Sequence, residues 1–111
     1  LPFVSARKAN GLLWMSGQLG NLPTTMTLAG NTIESQMHQT LKNIGAVLKE
    51  HNLDYNDVVK CTLMLADINE WASANAVYQE YFTNKLPTRS AFATSGLALN
   101  AKVEMECHAQ L

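Results

Sequence analysis

The chain has 111 residues, of which 47% are hydrophobic and only 15% charged, and its formal net charge is −1. Its eight Lys and Arg are scattered, which argues against a phosphate-neutralising nucleic-acid surface, and no apolar run approaches the ~20 residues that span a bilayer. The charge content is well below the ~25% of an average soluble domain, so part of the surface is expected to be covered, most simply by copies of the same chain. The length fits one domain, residues 1–111.

In chain order, the first unit reads as a hairpin. Phe3 to Ala9 leads to Asn10-Gly11, which supplies the two positive-φ positions of a tight turn, and Leu12 to Gly17 returns. Gln18 to Gly30 is rich in Gly, Asn, Pro and Thr without a period and reads as a loop. A first helix is predicted to be capped by Asn31, with Glu34 closing the capping box. Ile33, Met37, Leu41, Ile44 and Leu48 then recur at steps of three and four, an apolar stripe facing a core.

Val59, Cys61, Leu63 and Leu65 alternate along the next strand and predict one buried face. Val58, Lys60, Thr62 and Met64 line the other face, which is half apolar and invites subunit association. Asp67 with Glu70 predicts a second cap. Ile68, Trp71, Ala74, Val77, Tyr78 and Tyr81 follow as an aromatic-rich helical face, read with Trp14 as core. Two strands close the chain, Arg89 to Thr94 and Lys102 to Gln110. In the second, Val103, Met105, Cys107 and Ala109 point one way, and Glu104, Glu106 and His108 the other. The order ββαβαββ predicts an α+β domain of two layers, a mixed sheet with both helices on one face.

Cys61 and Cys107 fall within apolar strand patterns and read as buried, reduced thiols. Two cysteines are too few for a disulfide scaffold, which points to the cytoplasm. A targeting segment upstream of Leu1 is left open. His38, His51 and His108 have no metal-ligand spacing, and no Gly-rich phosphate loop or nucleophile elbow is present, so neither metal nor cofactor is expected.

Candidate chemistry centres on Arg89, which follows a proline turn, and on the acids of the last strand. A guanidinium binds a carboxylate through two parallel hydrogen bonds, and a nearby acid can hold a water or move a proton. A small site for an anionic metabolite follows. On spacing alone, a solvated strand-end arginine and a polar sheet face are the commoner readings, and Ser16-Gly17 fits a bulge as well as a close approach to ligand.

The sequence resembles the RidA/YjgF family of reactive-intermediate deaminases through nearly its whole length. The match rests on Ser16-Gly17-Gln18, on Gln39-Thr40-Leu41-Lys42-Asn43-Ile44, and on Asp57-Val58-Val59-Lys60-Cys61-Thr62-Leu63. It continues through Ala66-Asp67-Ile68-Asn69, Asn75-Ala76-Val77-Tyr78 and Tyr81-Phe82, and ends with Leu86-Pro87-Thr88-Arg89-Ser90 and Val103-Glu104-Met105-Glu106. Each piece is weak alone; their order and spacing together are specific.

The resemblance implies a chorismate-mutase-like fold, a homotrimer whose sheets form a central barrel, and ligand sites between subunits. It implies cofactor-independent hydrolysis of enamine or imine intermediates, such as 2-aminoacrylate, to a 2-keto acid and ammonia. By position, Arg89 matches the carboxylate-binding arginine and Glu104 the acid linked to the hydrolytic water. Ser16, Gly17 and the backbone of Ala91 match cleft residues, and Phe3 stands where many members have a tyrosine covering the ligand. Ala91 replaces a frequent cysteine and Gly20 a frequent proline. The implied partners are a small carboxylate substrate and two further copies of the chain, with no nucleic acid or membrane. A 2-keto acid-binding regulatory trimer without turnover is the alternative. Chorismate-mutase-like activity rests on fold analogy alone and would need more cationic residues.

Overall fold

A computed structural model describes residues 1–111. Its hairpin strands are β1 (Ala6–Ala9) and β2 (Leu12–Met15), joined by Asn10 and Gly11 at φ 53° and 77°. Both turn positions are left-handed, where Asn and Gly are the cheapest residues. The predicted loop that follows contains structure. β3 (Gln18–Leu19) pairs antiparallel with the last strand, and Asn21 bridges Leu28. Two residues are too few for a period, so this strand left no signal in the sequence. The Asn43 side-chain amide donates to the carbonyls of Leu19 and Asn21, both at 2.9 Å, and ties the segment to the first helix.

That helix, α1 (Ile33–Glu50), is capped by Thr32 rather than Asn31. The Thr32 hydroxyl accepts from the Ser35 amide at 3.1 Å, and the Thr32 amide donates to the Ser35 hydroxyl at 3.4 Å. Ser35 therefore takes the role expected of Glu34, because it is the residue three positions after the true cap. The predicted stripe is buried as read, with Met37, Leu41 and Leu48 fully enclosed.

β4 (Val58–Leu65) departs from simple alternation at its start. A register shift between Val58 and Lys60 turns Val58 inward, 5% exposed, and leaves Val59 46% exposed, the reverse of the prediction. A bulge inserts one residue and so exchanges the two faces on one side of it. From Cys61 onward the predicted pattern holds. Asp67 caps a single 3-10 turn, accepting from the Asn69 amide, and that turn feeds α2 (Trp71–Tyr81). Ala74, Val77 and Tyr78 face the core, whereas Ile68, Trp71 and Trp14, read as core from sequence, lie on the surface.

β5 (Thr88–Ala93) and β6 (Val103–Gln110) complete a six-stranded mixed sheet ordered β1-β2-β6-β4-β5, with β3 beside β6. Only β4 and β5 run parallel, joined through α2. Both helices pack on one face, over a core that includes Leu13, Leu63, Leu65, Val103 and Met105. The predicted α+β class and helix placement are as observed. The opposite face carries Trp14, Thr62, Met64, Glu104, Glu106 and His108 with no helix over it.

Cys61 and Cys107 are buried as expected, but they form a disulfide instead of free thiols. Register explains it. Cys61 on β4 lies directly opposite Cys107 on β6, with both side chains on the core face and Cα atoms 4.1 Å apart. A separation of 46 residues in sequence gives no hint of that pairing.

Candidate functional site

β5 starts after Pro87 and runs parallel to β4, with Arg89 opposite Cys61 and Ala91 opposite Leu63. Cys61 and Leu63 face the helices, so Arg89 and Ala91 do as well. The Arg89 side chain meets α2 along one face. Its Nη1 donates to Asn75 Oδ1 at 2.8 Å, and its guanidinium carbon lies 4.6 Å from the Tyr78 ring centre and 5.5 Å from that of Trp71. Positions 71, 75 and 78 are spaced i, i+4, i+7 and share one side of the helix. The guanidinium is therefore held by one amide and two rings before any ligand arrives. Burial pushes the Tyr78 phenol up, and the neighbouring Arg89 charge partly opposes that shift.

Glu104 sits elsewhere. It pairs with Met64 of β4 and Leu19 of β3, on the helix-free face of the sheet. Its carboxyl is raised above the usual glutamate range, first by burial and second by the neighbouring Glu106. Gly17 comes so close that a Cβ there would strike the Glu104 carboxylate. Ser16 is next to it, donating from its hydroxyl to the Val4 carbonyl at 2.6 Å, and this pins the chain just after Phe3. Phe3 is exposed.

The six sequence candidates thus fall into two groups. Ser16, Gly17 and Glu104 come together at the β2–β3–β6 end of the open face, with Phe3 nearby in the chain. Arg89 and Ala91 lie against α2 on the other face. Arg89 and Glu104 are separated by two strand spacings and three residues of register along β4, on the order of 14 Å between Cα atoms. Within one chain, then, Arg89 and Glu104 do not share a site. Asn75, Trp71 and Tyr78 are residues that sequence reasoning did not connect with Arg89. The signal available was an asparagine set in an otherwise apolar helix face.

Glu106 is engaged differently from Glu104. His108 accepts from the Met15 amide through Nδ1 at 3.2 Å, which places its proton on Nε2, 3.2 Å from Glu106 Oε1. Trp14 packs against the His108 ring, with centres 5.0 Å apart.

A Gly17→Ala substitution is expected to displace the Glu104 side chain and leave the fold intact. The atom it strikes is the tip of a flexible side chain, which can swing away. Catalysis that depends on Glu104 should fall at least tenfold, while the melting temperature changes by no more than a few degrees. A fully active Gly17→Ala protein would show that the position of the Glu104 carboxylate does not matter.

A small mixed sheet with both helices on one face, an arginine clamped by a helix and a carboxyl group beside a glycine define a compact α+β domain. The chain belongs to the family described as endoribonuclease L-PSP, whose model matches residues 1–111. It is 44% identical over 110 residues to the chloroplastic reactive intermediate deaminase A of Arabidopsis thaliana, covering 99% of this chain and 59% of that protein. It is 35% identical to the 2-iminobutanoate/2-iminopropanoate deaminase of Mus musculus, covering 95% of this chain and 78% of the relative. Among solved structures, the Rid-family protein YyfA of Yersinia pestis superposes with a TM-score of 0.95 at 38% identity, covering 99% of this chain and 88% of that one. No helix is long and apolar enough to cross a membrane.

Proposed function

We propose that this protein hydrolyses reactive 2-imino acids and their enamine tautomers to 2-keto acids and ammonia, without a cofactor, as a homotrimer with its sites between subunits. The observation that carries the reading is the Arg89 guanidinium. Asn75 and the Tyr78 ring hold it in place, so its remaining N–H groups are pre-oriented to take a carboxylate. The names of the plant and mouse relatives support the reaction class.

Two copies are needed because Arg89 and Glu104 lie on opposite faces of one chain's sheet. A trimer that closes the open face around Trp14, Met64 and Phe92 brings the Glu104 end of one subunit against the β5 edge of the next, and β5 is an outer strand of the sheet. Arg89 then anchors the substrate carboxylate and orients the imine carbon. Glu104 accepts a proton from a water as the water oxygen bonds to that carbon. The carbon–nitrogen π pair moves to nitrogen, which takes the same proton back from Glu104 and gives a carbinolamine. The carbinolamine hydroxyl then passes its proton to the amino nitrogen through Glu104, the carbon–nitrogen bond breaks, and ammonia leaves as the carbonyl forms. Ser16, Gly17, Ala91 and Phe3 line this intersubunit cleft. Net charge −1 and scattered cations argue against RNA as the substrate, despite the family description.

The test is to generate 2-aminoacrylate with a lyase and follow 2-keto acid release with and without this protein. Acceleration proportional to protein concentration is expected. A rate equal to the spontaneous one, with pyruvate still bound, would make the protein a 2-keto acid-binding trimer.

The raised Glu104 pKa gives a further expectation. Activity that needs the carboxylate falls as pH drops through that raised value, so the acid limb of the rate profile sits above the ~4.3 of an ordinary glutamate. Stability runs the other way. The folded state binds this proton more tightly than the unfolded chain, so Glu104's contribution is most favourable at low pH and declines as pH rises through the folded pKa. Glu104→Gln should therefore lose activity at neutral pH yet melt at the same temperature as wild type or higher. Glu106→Gln, which removes the charge and keeps an oxygen for His108 Nε2–H, should keep most of the activity.

A further inference from the structure

We propose that Trp71 is the specificity-determining wall of the Arg89 site and that it selects imino acids with bulky apolar or aromatic side chains over the smallest ones. The inference rests on the functional reading above and deepens it. Trp71 is the first residue of α2 and remains 40% exposed, although its ring lies 5.5 Å from the Arg89 guanidinium carbon. The other ring beside Arg89, Tyr78, is buried and packs in the core, so Trp71 alone offers an open aromatic surface there. A 2-imino acid carries its side chain one bond beyond the carbon next to the carboxylate. With the carboxylate in the Arg89 fork, that side chain begins within about 5–6 Å of the guanidinium, the same range as the indole. Ala91, two residues along β5 on the same face, contributes only a methyl group. An indole face pairs well with apolar and aromatic groups, and burying its exposed surface adds affinity that a methylene or methyl substituent cannot match.

The experiment compares wild type, Trp71→Ala and Trp71→Phe. Imines are made in situ from phenylalanine and alanine with an amino-acid oxidase, and binding of phenylpyruvate and pyruvate is measured by calorimetry. Wild type should favour the phenylalanine-derived imine in kcat/KM, and phenylpyruvate should bind more tightly than pyruvate. Trp71→Ala should reduce both preferences about tenfold, mainly by raising KM for the bulky substrate, and Trp71→Phe should restore most of the difference. Equal losses for both substrates, or an unchanged ratio, would mean that Trp71 only supports the fold, and the proposal would fall. The binding arm decides the matter even if neither imine is turned over. In that case the deaminase reading fails, and a lost phenylpyruvate preference in Trp71→Ala still supports the wall.

Discussion

Arg89→Ala is expected to reduce kcat/KM for imine hydrolysis by at least about 100-fold, equivalent to about 2.7 kcal/mol of transition-state binding and in keeping with loss of a bidentate charged contact. The fold survives but not at full stability. Arg89 is not a loose strand-end side chain: it bonds Asn75 and stacks against Tyr78 and Trp71. Removing it should cost about 1–2 kcal/mol, so the melting temperature drops by several degrees. Arg89→Lys is expected to recover little, because an ammonium cannot reproduce the planar, bidentate fork. Assays run well below the melting temperature separate the two effects. If Arg89→Ala retained more than about a tenth of wild-type activity while folded, the carboxylate anchor would have to be sought elsewhere.

Co-assembling two inactive variants into one oligomer should restore activity. Arg89→Ala keeps an intact Glu104, and Glu104→Gln keeps an intact Arg89. If each site takes one residue from each of two neighbouring subunits, random co-assembly of equal amounts leaves roughly a quarter of the interfaces with both residues intact. Co-expressed or co-refolded mixtures should therefore recover roughly a quarter of wild-type turnover, while the separately purified variants, mixed without subunit exchange, stay inactive. The expectation follows from the placement of the two side chains on opposite sheet faces. Recovery would be absent if a single chain contained the whole site. The double variant, Arg89→Ala with Glu104→Gln, co-assembled with wild type provides the control for dilution.

Much of the fold could be read from the chain because its signals are periodic and local. The stripe from Ile33 to Leu48 repeats with the helix, Val103 to Ala109 alternates with the strand, and Asn10-Gly11 fits the turn that its two left-handed positions require. Boundary details were less legible. Thr32 and Asn31 are both good caps, and only the path of the chain selects between them. β3 is too short to show a period, and the bulge at Val58 breaks a pattern that sequence can only extrapolate.

The candidate residues were legible one by one, through their chemistry and the family likeness, but their grouping was not. By itself the sequence determined the element types, the α+β class, the buried stripes, and the singling out of Arg89 and Glu104. The element types, class and stripes depend on side-chain chemistry and on periods of two and 3.6 residues, which a linear string carries in full, whereas the choice of Glu104 over Glu106 rests on the family resemblance. The tertiary structure alone decided that Cys61 meets Cys107, that Arg89 is clamped by Trp71, Asn75 and Tyr78, and that Glu104 lies on the other face beside Gly17. These depend on strand order and register, and on which helix crosses which strand. Such relations join residues 11 to 87 positions apart. No local pattern encodes them, because they are fixed by the packing of the whole core.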